Sequence, residues 1–415
     1  MLLQVKDLPE NVPSHVPRAL VFESELIEPV YIDNPIKVYQ RIIEQLPPIF
    51  FQLDRTAIAV DAGGWTIARA DLQREVLQNP DLFRSTSETA IGVDVWPQPL
   101  IPFTLDPPDH GKYRSILAPI FSPRAIQAMD DRIRTVCNTL LDRIVPAGES
   151  ASFMDDFARP YPATVFMAMM GMPLEQQATF VEWEETLLSG AEGTALEDIK
   201  GAVQSIYDCM DGLIEERKKQ PKDDIISHLI RAEIDGKPIE KDDLLGTCGL
   251  LFMAGLDTVT AGLLHIFYYL GINPDQKQKL IDDPELVPSA IEELLRYYSW
   301  IISPRYVKRD VEFHGISMQA GDRIILPFIY ASHDPGVVGD PDEVDFHRGP
   351  NPHFAFGAGV HRCAGSHLAR RELRVALSAW LEKAPDFHLT DGYKVTYKLG
   401  NFHPSDLHLK WTMKE

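Results

Sequence analysis

The sequence predicts a mainly α fold with smaller β-sheets, organised as a single domain over 1–415. Three observations carry this. Helical spacing of apolar residues runs through most of the chain, while alternating or β-rich stretches are confined to 49–69, 305–318, 322–327 and 385–413. The 45% hydrophobic content of 415 residues is enough for a large core. Finally, the chain shows no Gly/Ser-rich or Pro-rich linker, no low-complexity tract and no repeat of 20 to 50 residues. A length-based expectation of two or three domains therefore gives way to one unit. Its helix-rich part covers about 70–300 and 360–383, and its strand-rich part about 49–69, 305–327 and 385–413.

In chain order the periodicity predicts helices over 37–46, 108–120, 124–144, 155–171, 174–188, 196–219, 240–271, 274–282, 286–299 and 365–382. Residues 247–272 are apolar enough to resemble a membrane span. Asp257 and His265 argue against that, since one acid at a bilayer centre costs about 2.5–3.5 kcal/mol and the flanks carry no positive bias. A buried helix crossing the molecule is the expectation. Met1 to Ser24 contains no apolar leader core, so neither signal peptide nor amino-terminal anchor is expected, and the four scattered cysteines suit a reducing, cytoplasmic setting.

The formal net charge of −21 disfavours nucleic acid and anionic membrane as partners. Positive charge is nonetheless concentrated in two places. Lys112, Arg114, Arg124, Arg132 and Arg134 fall in one run, and Arg362, Arg370, Arg371 and Arg374 in another.

Cys363 is the most informative residue. It lies in Phe356-Gly357-Ala358-Gly359-Val360-His361-Arg362-Cys363-Ala364-Gly365 and leads directly into a helical stretch. Free N–H groups at a helix start and the nearby His361 and Arg362 favour a thiolate, which is a metal ligand. Gly359 and Gly365 allow tight backbone turns, and Phe356 offers an aromatic face. An inert buried cysteine and a zinc site with His361 and His367 are the alternatives, but no second Cys or His pair completes four zinc ligands.

Three further motifs stand at wide spacing. Met253-Ala254-Gly255-Leu256-Asp257-Thr258 puts an acid and an alcohol inside an apolar helix, where an unpaired carboxylate is expensive. Glu293 and Arg296 share one helix face at i,i+3. His110 and Arg114 stand one turn apart.

Together these motifs resemble the cytochrome P-450 haem-thiolate monooxygenases, with Phe356 to Gly365 matching the family's Phe-x-x-Gly-x-His-x-Cys-x-Gly cysteine loop at every fixed position. The resemblance spans roughly 30 to 413 and is closest to the soluble bacterial camphor 5-monooxygenase branch. It implies the cytochrome P-450 fold, with haem b between the long central helix and the cysteine-loop helix. Cys363 is implied as axial thiolate, Thr258 as the hydroxyl on the oxygen side, and Asp257 as the acid that feeds protons. His110, Arg114, Arg305 and His361 are implied as propionate partners, and Glu293 and Arg296 as a structural ion-pair network with Arg348, or alternatively His347, as the downstream partner.

The same branch implies O2 and two electrons from a [2Fe-2S] ferredoxin, itself reduced by an NADH-dependent flavoprotein, with Lys112 and Arg362 at the docking face. Its substrate lining maps to Trp96, Gln98, Leu100, Phe103, Leu250, Met253, Gly255, Ile301, Ile302, Asn401 and Phe402. That lining suits a small terpenoid or ionone-like ketone, with Gln98 or Asn401 donating to a carbonyl. Gln98 stands where the camphor enzyme has a tyrosine hydroxyl. Between Pro173 and Lys200 there is no Lys or Arg to hold Asp257 as that branch does. A peroxide-driven peroxygenase and a non-catalytic haem sensor are the alternative functions.

Overall fold

The structure is a computed structural model that describes residues 2–4, 12–24, 36, 42–53, 63–85, 95–188, 194–255, 257–397 and 403–412. Its largest sheet has seven strands in the order Leu2–Gln4, Val21–Ser24, Ile49–Leu53, Gly63–Ile67, Arg323–Pro327, Ile302–Val307 and Phe83–Arg84. Only glycine fits Gly64, since a Cβ there would lie 2.9 Å from the Arg323 carbonyl oxygen. That close approach lets Arg323–Pro327 pair in parallel with Gly63–Ile67, Ile324 opposite Trp65.

Helices supply the rest of the frame. Lys241–Gly255 and Asp257–Ile272 cover the expected central helix, with residue 256 outside the described set. Although long and apolar enough to cross a membrane, this stretch has 71% of its most apolar window buried inside the protein. Phe267 meets Phe153 at 4.3 Å and Trp380 at 5.7 Å between ring centres. Those contacts fix the central helix against Ser366–Lys383, and Val287–Tyr298 packs alongside. Burying such rings contributes roughly 1.5–3 kcal/mol each, which is why the helical half holds the larger core.

Some expectations change. The helix predicted over 124–144 is two, Pro123–Ala128 and Asp130–Ile144, because Met129 leaves helical geometry at φ −93°, ψ 0°. The 155–171 helix begins with a π-helical turn, Met154–Ala158, before Pro160–Met170. Of the strand expected over 385–413, His388–Leu389 and His408–Lys410 pair, and an isolated bridge among the described residues joins Tyr397 to Pro404. Helix Ala70–Gln78 was not predicted. Its buried face includes Gln73, whose Nε2 donates to the carbonyls of Ile67 and Pro327 at 2.9 Å, and a polar residue used as core is invisible to an apolar count.

Candidate active site

The cysteine loop is closed by backbone hydrogen bonds. Gly357 N–H donates to Phe354 O at 2.7 Å, Arg362 N–H to Gly359 O at 3.1 Å and Cys363 N–H to Phe356 O at 2.9 Å. Gly357 and Gly359 adopt φ of 67° and 70°, the left-handed region that favours glycine. At Gly359 the demand is also steric, since a Cβ would lie 2.0 Å from the Leu77 carbonyl oxygen. The loop therefore rests on the end of helix Ala70–Gln78. Gly365 differs from expectation: at φ −77° it makes no special turn, and its contribution is the N–H that bonds the Cys363 sulfur.

Braces on the loop come from two helices. The Arg370 guanidinium lies 4.3 Å from the Phe356 ring centre and forks onto Glu292 at 2.7 and 2.8 Å. His353 Nε2 approaches the same carboxylate at 3.1 Å. Burial alone would raise the Glu292 carboxyl, but these hydrogen bonds and charges win and hold it at about 2.

Cys363 faces a cavity of about 340 Å³. The sequence context predicts a depressed thiol; burial acts in the opposite direction and pushes it up. The Gly365 N–H and the charges of Arg114, Arg362 and Arg370 act in the expected direction but are outweighed.

Opposite the thiol, the central helix presents Leu250, Leu251, Ala254, Gly255, Thr258 and Val259, a 3.6-residue stripe. The Thr258 hydroxyl donates to Ala254 O at 3.1 Å, one turn back along the helix. Glycine at 255 is explained by packing, because a Cβ would lie 2.5 Å from the Phe166 ring. Asp257 is buried on the helix side away from that stripe, and His403 Nε2 stands 3.4 Å from its Oδ1. The sequence offered no cation for Asp257, and His403, from a segment that reads as strand, had no local signal.

A polar edge completes the cavity. His110, Arg114, Arg305 and His361 all line it, and the two imidazole rings are 4.2 Å apart. Burial, followed by Arg305, His110 and Arg114, pushes His361 down to about 3, and burial with Arg114 lowers His110. Burial likewise lowers Arg305 to about 10, Asp106 acting against it. Both imidazoles are thus neutral near pH 7. The edge carries the charge of two guanidiniums, and burial pushes the carboxyl of Glu372, the acid in the cavity lining, well above the ordinary carboxylate range.

The expected substrate lining is placed only in part. Phe103, Leu250, Gly255 and Ile301 line the cavity; Trp96, Gln98, Leu100, Met253 and Ile302 do not. Strand alternation explains one of these, since Ile301, Ser303 and Arg305 face inward and Ile302, 51% exposed, points away. Helix geometry explains Met253, which is off the stripe of Leu250, Ala254 and Thr258. Trp96 packs on Tyr207, Gln98 lies over Gly246, and Leu100 is ordinary core. Asn401 and Phe402 lie outside the described residues.

Beyond the cavity, Glu293 accepts from Arg296 at 2.9 Å through both oxygens, from Arg348 at 3.0 and 3.1 Å and from Asn351 at 2.9 Å. His347, the alternative partner, instead donates its backbone N–H to Asp345. Lys112 is already neutralised by Asp235 at 2.8 Å and Asp109 at 3.2 Å, while Arg362 is exposed.

This donor set fits a haem. A sulfur faces an apolar cavity, a helix groove lies opposite, and the edge holds two guanidiniums and two imidazoles suited to a pair of carboxylates.

Comparison with known proteins points the same way. Residues 65–385 match the family described as Cytochrome P450. The probable cytochrome P450 127A1 of Sinorhizobium fredii is 34% identical over 409 residues, covering 96% of this chain and 97% of its own. The steroid C26-monooxygenase of Mycolicibacterium smegmatis is 31% identical, covering 90% and 91%. Among solved structures, Mycobacterium marinum cytochrome P450 CYP268A2 in complex with pseudoionone aligns with a TM-score of 0.83 at 25% identity, covering 91% of this chain and 94% of that one.

Proposed function

The chain belongs to the cytochrome P450 family of haem-thiolate monooxygenases, and on that premise we propose that it hydroxylates an unactivated C–H bond of a small apolar terpenoid or ionone-like ketone. The observation that carries this is the single cavity on which Cys363 and Thr258 meet across an apolar space with a cationic edge. The bound haem supplies the redox chemistry that splits O2 and oxidises the C–H bond.

The chain's residues have distinct tasks. Cys363 would ligate the haem iron through its sulfur; the other cysteines, Cys137, Cys209 and Cys248, lie off the cavity. His110, Arg114, Arg305 and His361 would hold its propionates. Because the Thr258 hydroxyl gives its hydrogen to Ala254 O, its oxygen is left as an acceptor toward the cavity, and Asp257, next to it in the chain, delivers protons. Phe103, Phe166, Leu250, Val259 and Ile301 exclude water and hold the substrate by shape. The pseudoionone bound by one structural relative supports the ketone class.

Electrons come from a [2Fe-2S] ferredoxin with an NADH-dependent reductase, docking near Arg362. Four unpaired thiols and the buried apolar helix support a cytoplasmic enzyme. The test is substrate-dependent NADH consumption with a ferredoxin system, set beside peroxide alone, after small terpenoids and ketones have been screened for a Soret shift. Coupled product with the ferredoxin system is expected. Turnover on peroxide only, or no turnover with any ligand that shifts the Soret band, contradicts it.

A further inference from the structure

We propose that His403 and Asp257 hold one proton between them, and that His403 is the positioning residue that returns this proton to Asp257 during turnover. This deepens the reading of Asp257 as proton-delivering acid and rests on it.

The argument begins with the tautomer. His403 Nδ1 lies 2.7 Å from the Pro404 carbonyl oxygen, which only accepts, so Nδ1 carries a hydrogen. A neutral imidazole has one N–H, so its Nε2 then carries a bare lone pair. That atom faces Asp257 Oδ1 at 3.4 Å, with side chains only 3% and 8% exposed. A lone pair opposed to a carboxylate, where little water screens them, is repulsive. One additional proton removes the conflict, as an imidazolium beside a carboxylate or an imidazole beside a carboxylic acid. Turning the ring to escape would break the Nδ1 bond to Pro404 O inside a nearly closed site, and the Tyr397 to Pro404 bridge and the Ser405 N–H to Thr396 O bond of 2.7 Å hold the backbone beside it.

The partner's identity sets the consequence. An arginine would hold the carboxylate ionised and keep its own proton, whereas histidine gives one up near neutral pH. The imidazolium passes its Nε2 proton to Asp257, leaving neutral His403 with Nδ1–H and a protonated acid. Asp257 then gives the proton up toward the cavity and returns to carboxylate. The pair is one proton short until solvent replaces it, so the step balances without further reactants.

Two measurements test this on the haem-loaded enzyme. In the diamagnetic ferrous CO complex with 15N-labelled histidine, the resonances lost in His403→Asn identify His403. The expected spectrum shows Nδ1 protonated and Nε2 bonded to, or sharing, a proton with a carboxylate. A His403 protonated at Nε2 and bare at Nδ1 overturns the proposal, whatever the variants do. In turnover, His403→Gln keeps an N–H for Asp257 but cannot exchange a proton. It should lower kcat by roughly tenfold or more and enlarge the solvent isotope effect, with KM and the substrate-induced Soret shift within about twofold. Normal kcat and isotope effect in His403→Gln, while Asp257→Asn is impaired, overturns the role of His403 alone. Normal turnover in Asp257→Asn as well overturns the underlying reading of the acid.

Discussion

On the thiol side of the cavity, Phe356, Gly359, Cys363 and Gly365 belong to one short run of chain, tied by its own backbone and braced by Arg370 on Glu292. Across the cavity, Thr258 and Asp257 come from the central helix, but the partner of Asp257 arrives from the C-terminal segment as His403. The first region is a local device and the second a long-range meeting. A local device keeps its geometry through hydrogen bonds that any correct fold of that run provides. A meeting of distant segments depends on the whole core, and it is where this chain departs from the branch it resembles.

The largest effect should come from the frame that both regions share. Glu293 is buried and engaged by Arg296 and Arg348, so Glu293→Gln leaves two guanidiniums with a weakened partner, Arg296 fully buried. A loss of about 3–5 kcal/mol is expected in urea unfolding. A loss under ~1 kcal/mol means the network is ornamental.

Next is the oxygen side by itself. Thr258→Ala should bind substrate within about twofold of the parent while product formed per NADH falls roughly tenfold, the remaining electrons appearing as hydrogen peroxide. Unchanged coupling removes Thr258 from the mechanism and leaves only its bond to Ala254 O.

How far each region was legible follows from the same contrast. The cysteine loop was readable because its chemistry and its turns share one contiguous string. What the string did not reveal is how deeply the sulfur sits, since burial is a property of the fold and opposes the neighbouring arginines at the thiol. The lining was readable only as far as periodicity reached. Met253 and Ile302 were assigned by alignment, yet their places on helix and strand turn them away from the cavity. His403 was not readable, because nothing near it in sequence marks Asp257 as its neighbour. The pairing of Lys112 with Asp235 was not readable for the same reason, the two being distant in the chain.

Acid should strain the thiol side first. The Glu292 carboxyl is depressed in the folded protein, so its stabilisation is present above the ordinary carboxyl range and is lost as pH falls from about 4.5 through about 2. The shift corresponds to at most about 3 kcal/mol, less after solvent screening. Glu292→Gln should flatten the acid limb of the stability curve between those values. An identical limb in parent and variant would assign acid sensitivity to other groups.

The smallest effect concerns docking. Arg362→Glu should slow ferredoxin-dependent reduction a fewfold at low salt, with the difference fading as the Debye length contracts below about 10 Å. Lys112→Glu should do less, because Asp235 and Asp109 already compensate that lysine. Equal effects of the two reversals, or rates insensitive to salt, place the docking face elsewhere.

The central claim is that Cys363 ligates the haem as thiolate, and the reduced CO complex reads that bond directly. The parent should show the red-shifted Soret band that thiolate ligation produces, and Cys363→Ser should lose it while the chain still folds. A parent without the band, or a Cys363→Ser variant that keeps it, contradicts the assignment.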